Sequence, residues 1–560
     1  MQNLKNFPIS QKLSLLFAAF VFLFSFGLLF YRTFFGVDFF DEPFYAALAL
    51  RLFTGQKLFV DELNLVQTFS LLTYPFFKIF FIMAHTLDGV ILFLRQSLVF
   101  LYLSVALLMA LILKRTTDGP RALIAASSIS LFFTGNMVTL GYNSLGTLFL
   151  TIGLISLFEG VSKNRKGAIL FSGLFLGMAS LAYITFLAVA GFLFFYLLVF
   201  CRKSSFPFLF ATGVLVLFIY PISAALTHWS DFQAAVSFRK EYLYDTPSIM
   251  RLLTVLRHFI SKWILLTLIT YGFLFFKTYR RFPGFAYFLI AISPVLAVVL
   301  GFLSWGNWAM VPFFFSALAT LTFPLVSQNS NIKLLTQWVY VPSFVAGLIS
   351  TFTSVSGHLN SQVGLVPAFM VSLILVGQAM QLLKPRFKHF SLVPLALPSF
   401  LIFLFPLNIW SDASFKELTQ KVETGPYKGI YTTPQKKEVV ETLYSELKPL
   451  LPEQGPLLVY PNFSWVYLIS PIPPAKGVTW YQNSGKTNEI LASLYAKQIN
   501  PNSRVVRMKI GHGSPIEKPN RIFDPKDPLN HLIEKTHRPI KDTPWYTLFA
   551  PITASPTPQS

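Results

Sequence analysis

Thirteen stretches of this chain are apolar almost throughout, and each is long enough to bridge the hydrocarbon core of a bilayer. They lie near residues 12–34, 89–113, 121–139, 144–160, 168–184, 186–201, 206–226, 263–277, 283–303, 309–326, 333–353, 364–383 and 391–410. About 20 helical residues cross such a core. A chain that is 54% hydrophobic and 17% aromatic has more apolar surface than a soluble domain can hide. The expected fold is therefore an all-α polytopic membrane protein of about 13 transmembrane helices. The fifth and sixth windows are the least distinct, since a tight turn near Tyr183 would make them one broken hairpin.

The net charge of +21 invites a nucleic-acid partner, but the placement of the charge argues against one. Lys114, Arg115 and Arg121, then Lys163, Arg165 and Lys166, then Arg202 and Lys203 occupy short connections between apolar windows. Lys277, Arg280 and Arg281, then Lys333, then Lys384, Arg386 and Lys388 continue the series. With thirteen spans, all of these share a face with the N-terminus. The positive-inside rule makes that face cytoplasmic. The expected location is a bacterial inner (plasma) membrane, multi-pass, with everything beyond about residue 411 on the periplasmic side. The first apolar run lacks a small-residue cleavage site and is longer than a signal-peptide core, so it reads as an uncleaved span.

Residues 1–410 thus form a membrane domain, 411–550 a soluble extracytoplasmic α/β domain, and 551–560 a disordered tail. The second segment holds 18 of the 45 basic and 13 of the 24 acidic residues, a balance suited to water. Thr433 and Pro434 form a cap and first turn for a helix whose apolar face is Val439, Val440, Leu443, Leu447 and Leu450. GPLLVYP (455–461) reads as a short buried strand. Cys201 is the single cysteine, which excludes an intrachain disulfide and any CxxC site. No Walker loop, HExxH, GxSxG or dinucleotide fingerprint occurs in a credible context.

Against this background the acids of 35–88 stand out. VDFFDEPFYAALALRLFTG (37–55) carries Asp38, Asp41 and Glu42, and Asp61 and Glu62 follow within one loop. Pro43 suits the first position of a helix and Gly55 its stop, so AALALRLF is expected to lie on the membrane surface with Asp41 and Glu42 at its N-terminus. Helix capping is sufficient to explain such acids. Asp38 has no evident role. Arg95 lies inside the second span, where an unpaired charge is expensive; an ion pair with an acid such as Asp88, snorkelling, or a phosphate would each account for it.

A first span, then DExxY with an Ala-rich helix, then Gly and a downstream F-x-D before a Pro-ended apolar run, resembles the C-type glycosyltransferases. Within them the chain is similar to the bacterial protein O-mannosyltransferase and aminoarabinose-transferase branch. GYNSLGTLFL (141–150) adds to the resemblance, with Tyr142 and Asn143 as cavity-lining candidates. The resemblance implies transfer of a sugar from a polyprenyl-phosphate donor to an acceptor hydroxyl on a glycan, lipid or protein. It implies inversion, with Asp41 as general base and Glu42 beside it. A single displacement needs one positioned carboxylate, whereas a retaining mechanism would need a second as nucleophile. Asp61 aligns loosely with a second acidic position, Asp61 and Glu62 are the candidates for acceptor or metal binding, and a divalent cation stays open. A lipid-phosphate leaving group calls for cations, for which Arg95, Arg239 and Lys240 are the candidates. A transporter or flippase of lipid-linked sugars is the competing expectation, although the acids of the membrane domain lie mostly in loops and no internal repeat is evident.

Overall fold

The computed structural model describes residues 8–133, 137–201, 205–214, 229–243, 250, 253, 257, 264–305, 308–354, 360–384, 389–404, 412–451, 453–461, 463–470, 472–479, 485–510 and 526–552. Among these, seven helices are long and apolar enough to cross a membrane. They are Ile9–Arg32, Val66–Ala84, Val90–Leu113, Tyr142–Ser162, Pro283–Gly301, Ser330–Thr353 and Ser361–Leu383. Six of them coincide with apolar windows of the sequence. The other seven windows hold shorter helices: Gly119–Ser127, Lys166–Ala182, Phe186–Phe200, Ser205–Val214, Ile264–Thr278, Val311–Thr320 and Leu392–Leu404. Thirteen full-length spans are therefore not reproduced among the described residues. The window at 121–139 shows one reason: after Ser127 the chain tightens into a 3₁₀ turn at Ser128–Ser130 and leaves helical geometry.

We label the helices that build the site α1 (Ile9–Arg32), α2 (Asp41–Phe53), α3 (Ser70–Ala84), α4 (Val90–Leu113), α5 (Gly119–Ser127), α6 (Tyr142–Ser162), α7 (Lys166–Ala182) and α8 (Phe186–Phe200). The α7–α8 junction is the tight turn expected near Tyr183. Helix α3 with its leading turn makes up the long apolar stretch Val66–Ala84, inside the expected outer loop. It begins beside the ends of α6 and α7, where the Thr68 hydroxyl donates to Leu181 O (2.7 Å) and Thr73 to Leu140 O (3.1 Å). It ends five residues before α4 begins. Both ends lie at one face, so α3 runs along that face instead of crossing the bundle.

Helix Ser361–Leu383 is the centre of the bundle and is buried at nearly every position. Gly364 makes this possible, because a Cβ there would stand 2.2 Å from Gly347 N on the neighbouring helix Val341–Thr353. Small residues substitute here for the hydrophobic driving force that helices lack in lipid. At the face opposite α3, Glu159 gathers Arg115 (2.5 Å), Lys163 (2.6 Å) and Arg165 (3.6 Å), which neutralises the acid nearest a helix end.

The C-terminal region forms a four-stranded sheet from β3 (Leu457–Tyr460), β4 (Arg504–Met508), β5 (His537–Asp542) and β6 (Tyr546–Pro551), in the order β3-β4-β6-β5. β3 pairs parallel to β4, and the other pairs are antiparallel. The expected strand at 455–461 is β3. The expected helix is Pro434–Leu447, with the Thr433 hydroxyl accepting from Lys436 N (3.3 Å) and Val439, Val440, Leu443 and Leu447 buried. It stops short of Leu450, which is exposed. A two-stranded ribbon, β1 (Gln420–Lys421) with β2 (Tyr431–Thr432), extends onto the end of α1: Gly36 N donates to Tyr431 O (2.8 Å) and Tyr431 N to Phe34 O (2.7 Å). The spans and this region share one hydrophobic core.

Candidate functional site: the acid-bearing loop

Helix α2 starts at Asp41, two residues before Pro43. Its cap is Asp38, whose carboxylate accepts from the amides of Phe40 (3.1 Å), Asp41 (2.8 Å) and Glu42 (2.9 Å). Three of the orphan donors at the helix start are thereby satisfied by one side chain. The capping chemistry expected of this acidic cluster is present, but Asp38 supplies it. The chain leaves α2 at Gly55, whose φ of +83° suits glycine.

Surface placement of α2 is not what the structure has. Glu42 through Arg51 are all buried, because α3 covers one flank and the segment Trp465–Ile469 of the C-terminal region another. Phe39 stacks on Phe463 at 4.8 Å. The apolar positions that suggested a lipid-facing helix are covered by protein instead.

Glu42 and Arg95 form a two-pronged ion pair, Nε to Oε1 at 2.6 Å and Nη2 to Oε2 at 2.5 Å. Arg95 also donates to the carbonyls of Thr33 (2.9 Å), Phe35 (3.0 Å) and Gly36 (2.8 Å) at the end of α1. All five guanidinium N–H groups are accounted for within the chain. Of the three expectations for Arg95, the acid partner is realised, with Glu42 in the place of Asp88; a donor phosphate finds no N–H left to it here. Asp88 accepts instead from the Tyr444 hydroxyl (2.9 Å). Burial pushes the Glu42 carboxyl above the usual carboxylate range, with the Arg95 charge pulling the other way.

Asp41 differs from both neighbours. It is half-exposed, whereas Asp38 and Glu42 are 1% exposed. Its charge acts on Tyr45, from which a chain of ring contacts runs on to Tyr142 and Tyr183. Tyr45 meets Tyr142 edge-on at 5.6 Å, and Tyr142 stacks on Tyr183 at 5.8 Å. Burial, then the neighbouring Tyr142 and Asp41, hold the Tyr45 phenol well above its ordinary range, so it stays a hydrogen-bond donor. Gly141 lets the aromatic ring approach, since a Cβ there would lie 2.5 Å from Tyr45 Cε2. The structure thus brings Tyr142 and the GYNSLG segment against Tyr45 of α2. Asn143 is buried at the start of α6.

Three residues that the sequence reading passed over hold the loop from the C-terminal side. Asp412 accepts from Val37 N (2.7 Å) and from the Thr432 hydroxyl (2.8 Å). Lys436 donates to Val37 O (2.7 Å) and pairs with Asp412 at 3.3 Å. The Tyr427 hydroxyl donates to Asp38 O. Burial lowers the Lys436 ammonium below its ordinary range, opposed by Asp412 and Asp38, and raises the Tyr427 phenol well above its own. None had a readable signal, since each is an ordinary polar residue in a soluble-looking segment.

Asp61 and Glu62 serve the same junction. Glu62 is 2% exposed and accepts from Thr479 N (2.8 Å), the Thr479 hydroxyl (2.5 Å) and Asn64 N (3.1 Å), with Arg51 at 3.3 Å. Burial raises its carboxyl and Arg51 opposes this. Asp61 closes a turn onto Lys57 N (2.7 Å) and pairs with Lys476 at 3.4 Å. Among the described residues no group of three or more His, Cys, Asp and Glu side chains is placed to hold a metal. Arg239 and Lys240 fall on the helix Trp229–Leu243, but their side chains lie outside the described residues.

No protein-family profile matches the chain, and no characterised protein matches it in sequence. Among solved structures it is similar to the oligosaccharyltransferase AglB of Archaeoglobus fulgidus, determined with an inhibitory peptide and a dolichol-phosphate, at 12% identity and TM-score 0.46. That match covers 89% of this chain and 69% of the other. It is also similar to the same organism's oligosaccharyltransferase with zinc and sulfate, at 12% identity and TM-score 0.48 over 89% and 68%. A third is ArnT from Cupriavidus metallidurans bound to undecaprenyl phosphate, at 13% identity and TM-score 0.43 over 97% and 99%.

Proposed function

We propose that the chain is an integral membrane glycosyltransferase that moves a sugar from a polyprenyl-phosphate donor to an acceptor hydroxyl, with Asp41 as general base. One observation carries the assignment: of the three acids at the start of α2, Asp41 alone is half-exposed. Asp38 is spent on the helix amides, and Glu42 is locked onto Arg95. A carboxylate whose two oxygens are both taken by a guanidinium has no oxygen turned toward an acceptor hydroxyl. A half-exposed acid beside ordered aromatic side chains can accept the proton of an attacking hydroxyl as the new bond forms. Inversion follows, since a single displacement needs no second carboxylate as nucleophile.

In this reading Glu42 and Arg95 are positioning residues that hold the end of α1 against the start of α2. Tyr142 and Asn143 line the sugar-binding side. Asp61 and Glu62 join the loop to the C-terminal region and take no part in acceptor or metal binding. Arg239 and Lys240 are the cations proposed to meet the lipid phosphate on departure. The assignment to the C-type glycosyltransferases, and to their bacterial O-mannosyl or aminoarabinose branch, rests on the motif resemblance in 36–80 and 141–150. The membrane is proposed to be a bacterial inner membrane, with the site on its periplasmic side.

The test is sugar transfer in purified membranes, with labelled polyprenyl-phosphate sugars, comparing wild type with Asp41→Asn and Asp61→Asn. Loss of a proton acceptor lowers the rate by about 10²- to 10⁴-fold, and that loss is expected for Asp41→Asn alone. Transfer at the wild-type rate in Asp41→Asn would sink the assignment. Movement of the labelled lipid across the bilayer without transfer would favour a flippase.

A further inference from the structure

The connection between β1 and β2 reads VETGPYKGI (422–430), and it reaches two helix starts at once. GPYK forms a tight turn, with Lys428 N donating to Gly425 O (2.9 Å) and Pro426 at the first central position, where its fixed φ is favoured. Gly425 and Gly429, at φ of +75° and +92°, let the chain enter and leave it.

The first of the two is α4. Gly89 precedes that helix and has no side chain to cap it, so the turn supplies the acceptors. Gly89 N donates to Gly425 O (3.0 Å) and Ile91 N to Pro426 O (3.2 Å). Two amides at the helix start are satisfied by backbone from the C-terminal region.

The second is α2. Tyr427 extends from the same turn, is fully buried, and donates its hydroxyl to Asp38 O. Asp38 is also the residue whose carboxylate holds the amides of Phe40, Asp41 and Glu42. The turn therefore bridges α4, which carries Arg95, to α2, which carries Glu42, and the Arg95–Glu42 pair closes the circuit. A helix start held at one point can pivot about it, and a second point stops the pivot. Lys436 and Asp412 grip Val37, whereas the Tyr427 contact lies one residue closer to Asp41. Burial, then the Glu42 and Asp38 charges, raise the phenol well above its ordinary range, so it stays a donor.

We infer that Tyr427 is a positioning residue for sugar transfer: through the Asp38 carbonyl it fixes the direction from which the Asp41 carboxylate meets the acceptor hydroxyl. This role rests on Asp41 as general base. Tyr427 acts on rate through geometry, since its buried side chain is spent on Asp38 and does not touch substrate.

The test compares wild type, Tyr427→Phe, Tyr444→Phe and Asp41→Asn as full chains. Transfer is measured in purified membranes with the labelled polyprenyl-phosphate sugar that wild type turns over, and rates are divided by folded protein from gel filtration. Phe keeps the ring and removes one hydroxyl. Tyr427→Phe is expected to lower kcat about 10-fold with KM for the donor unchanged, since a misplacement of about 1 Å can cost about 10²-fold. In hydrogen exchange the amides of Phe40, Asp41 and Glu42 should open faster, while those of α1 stay as in wild type. Tyr444→Phe removes a hydroxyl of the same region that donates to Asp88 (2.9 Å), and it should leave kcat at the wild-type value. A wild-type kcat in Tyr427→Phe beside an inactive Asp41→Asn overturns the role of Tyr427 and leaves that of Asp41 standing. An equal fall in Tyr444→Phe reduces Tyr427 to a structural contact and overturns it as well. Transfer at the wild-type rate in Asp41→Asn removes the general base, and the role of Tyr427 with it.

Discussion

Replacing Arg95 with Met removes the cation from a buried pair and strips three carbonyls of their donors. Glu42 is then a carboxyl 1% exposed with no opposing charge, and the acyl oxygens of Thr33, Phe35 and Gly36 face an apolar side chain. A carboxylate so placed takes up a proton rather than remain charged. Its cost is that of protonating a group whose ordinary value is 4.5, about 1.4 kcal/mol for each pH unit above that, or about 3 kcal/mol at pH 7. Each abandoned carbonyl adds about 1 kcal/mol, less where water reaches it. The expected loss is about 4 to 6 kcal/mol at pH 7, within the range for breaking a buried pair.

The sign of the pH dependence is fixed. In Arg95→Met the folded carboxyl titrates above its unfolded value, so stability is intact below about pH 4.5 and is lost as pH rises. The variant should therefore be less stable at pH 7 than at pH 5, by about 2 to 3 kcal/mol. Glu42→Gln in the same background abolishes the slope and recovers stability at pH 7. Thermal unfolding in detergent, followed by tryptophan fluorescence at the two pH values, measures both. A double variant no more stable than Arg95→Met at pH 7 would refute the account, because the penalty would then not reside in Glu42.

Asp38→Ala leaves three amides of α2 without an acceptor and should cost about 1 to 2 kcal/mol, measured by the same unfolding assay, with a drop in transfer rate greater than the loss of folded protein. Glu62→Gln weakens the junction with Thr479 and Arg51 and should make the segment around residues 55–62 susceptible to limited proteolysis, with α1 and α4 still protected. His537 is 2% exposed, and burial followed by the Arg504 charge lowers its imidazole from 6.5 to about 4. Its contribution is whole above pH 6.5 and fades as pH falls toward 4, so acidification should loosen the C-terminal sheet by on the order of 2 kcal/mol, and His537→Gln should flatten that dependence in hydrogen exchange.

Much of the architecture was legible because apolar windows report bilayer physics directly. The α7–α8 turn, the Thr433 cap and strand β3 were readable for the same local reasons. Helix length was not, since an apolar window does not say where helical hydrogen bonding stops, as at Ser128–Ser130. Nor was the burial of α2. AALALRLF has the composition of a surface helix, and only the segment around Phe463 and Trp465, some four hundred residues away, makes it an internal one. Glu42 and Arg95 were each singled out, but the pairing that gives them their roles is a long-range fact. Asp38, the acid without an assigned role, became the cap because the helix starts at Asp41 rather than at Pro43.

The grip of Asp412, Lys436 and Tyr427 on Val37 and Asp38 has a bearing on biogenesis. The chain is made from its N-terminus, so the acidic loop emerges 375 residues before Asp412, its partner at Val37. Until the segment beyond residue 411 has been synthesised and docked, the start of α2 lacks the side chains that hold it. A nascent or truncated chain therefore carries the start of α2 without those contacts.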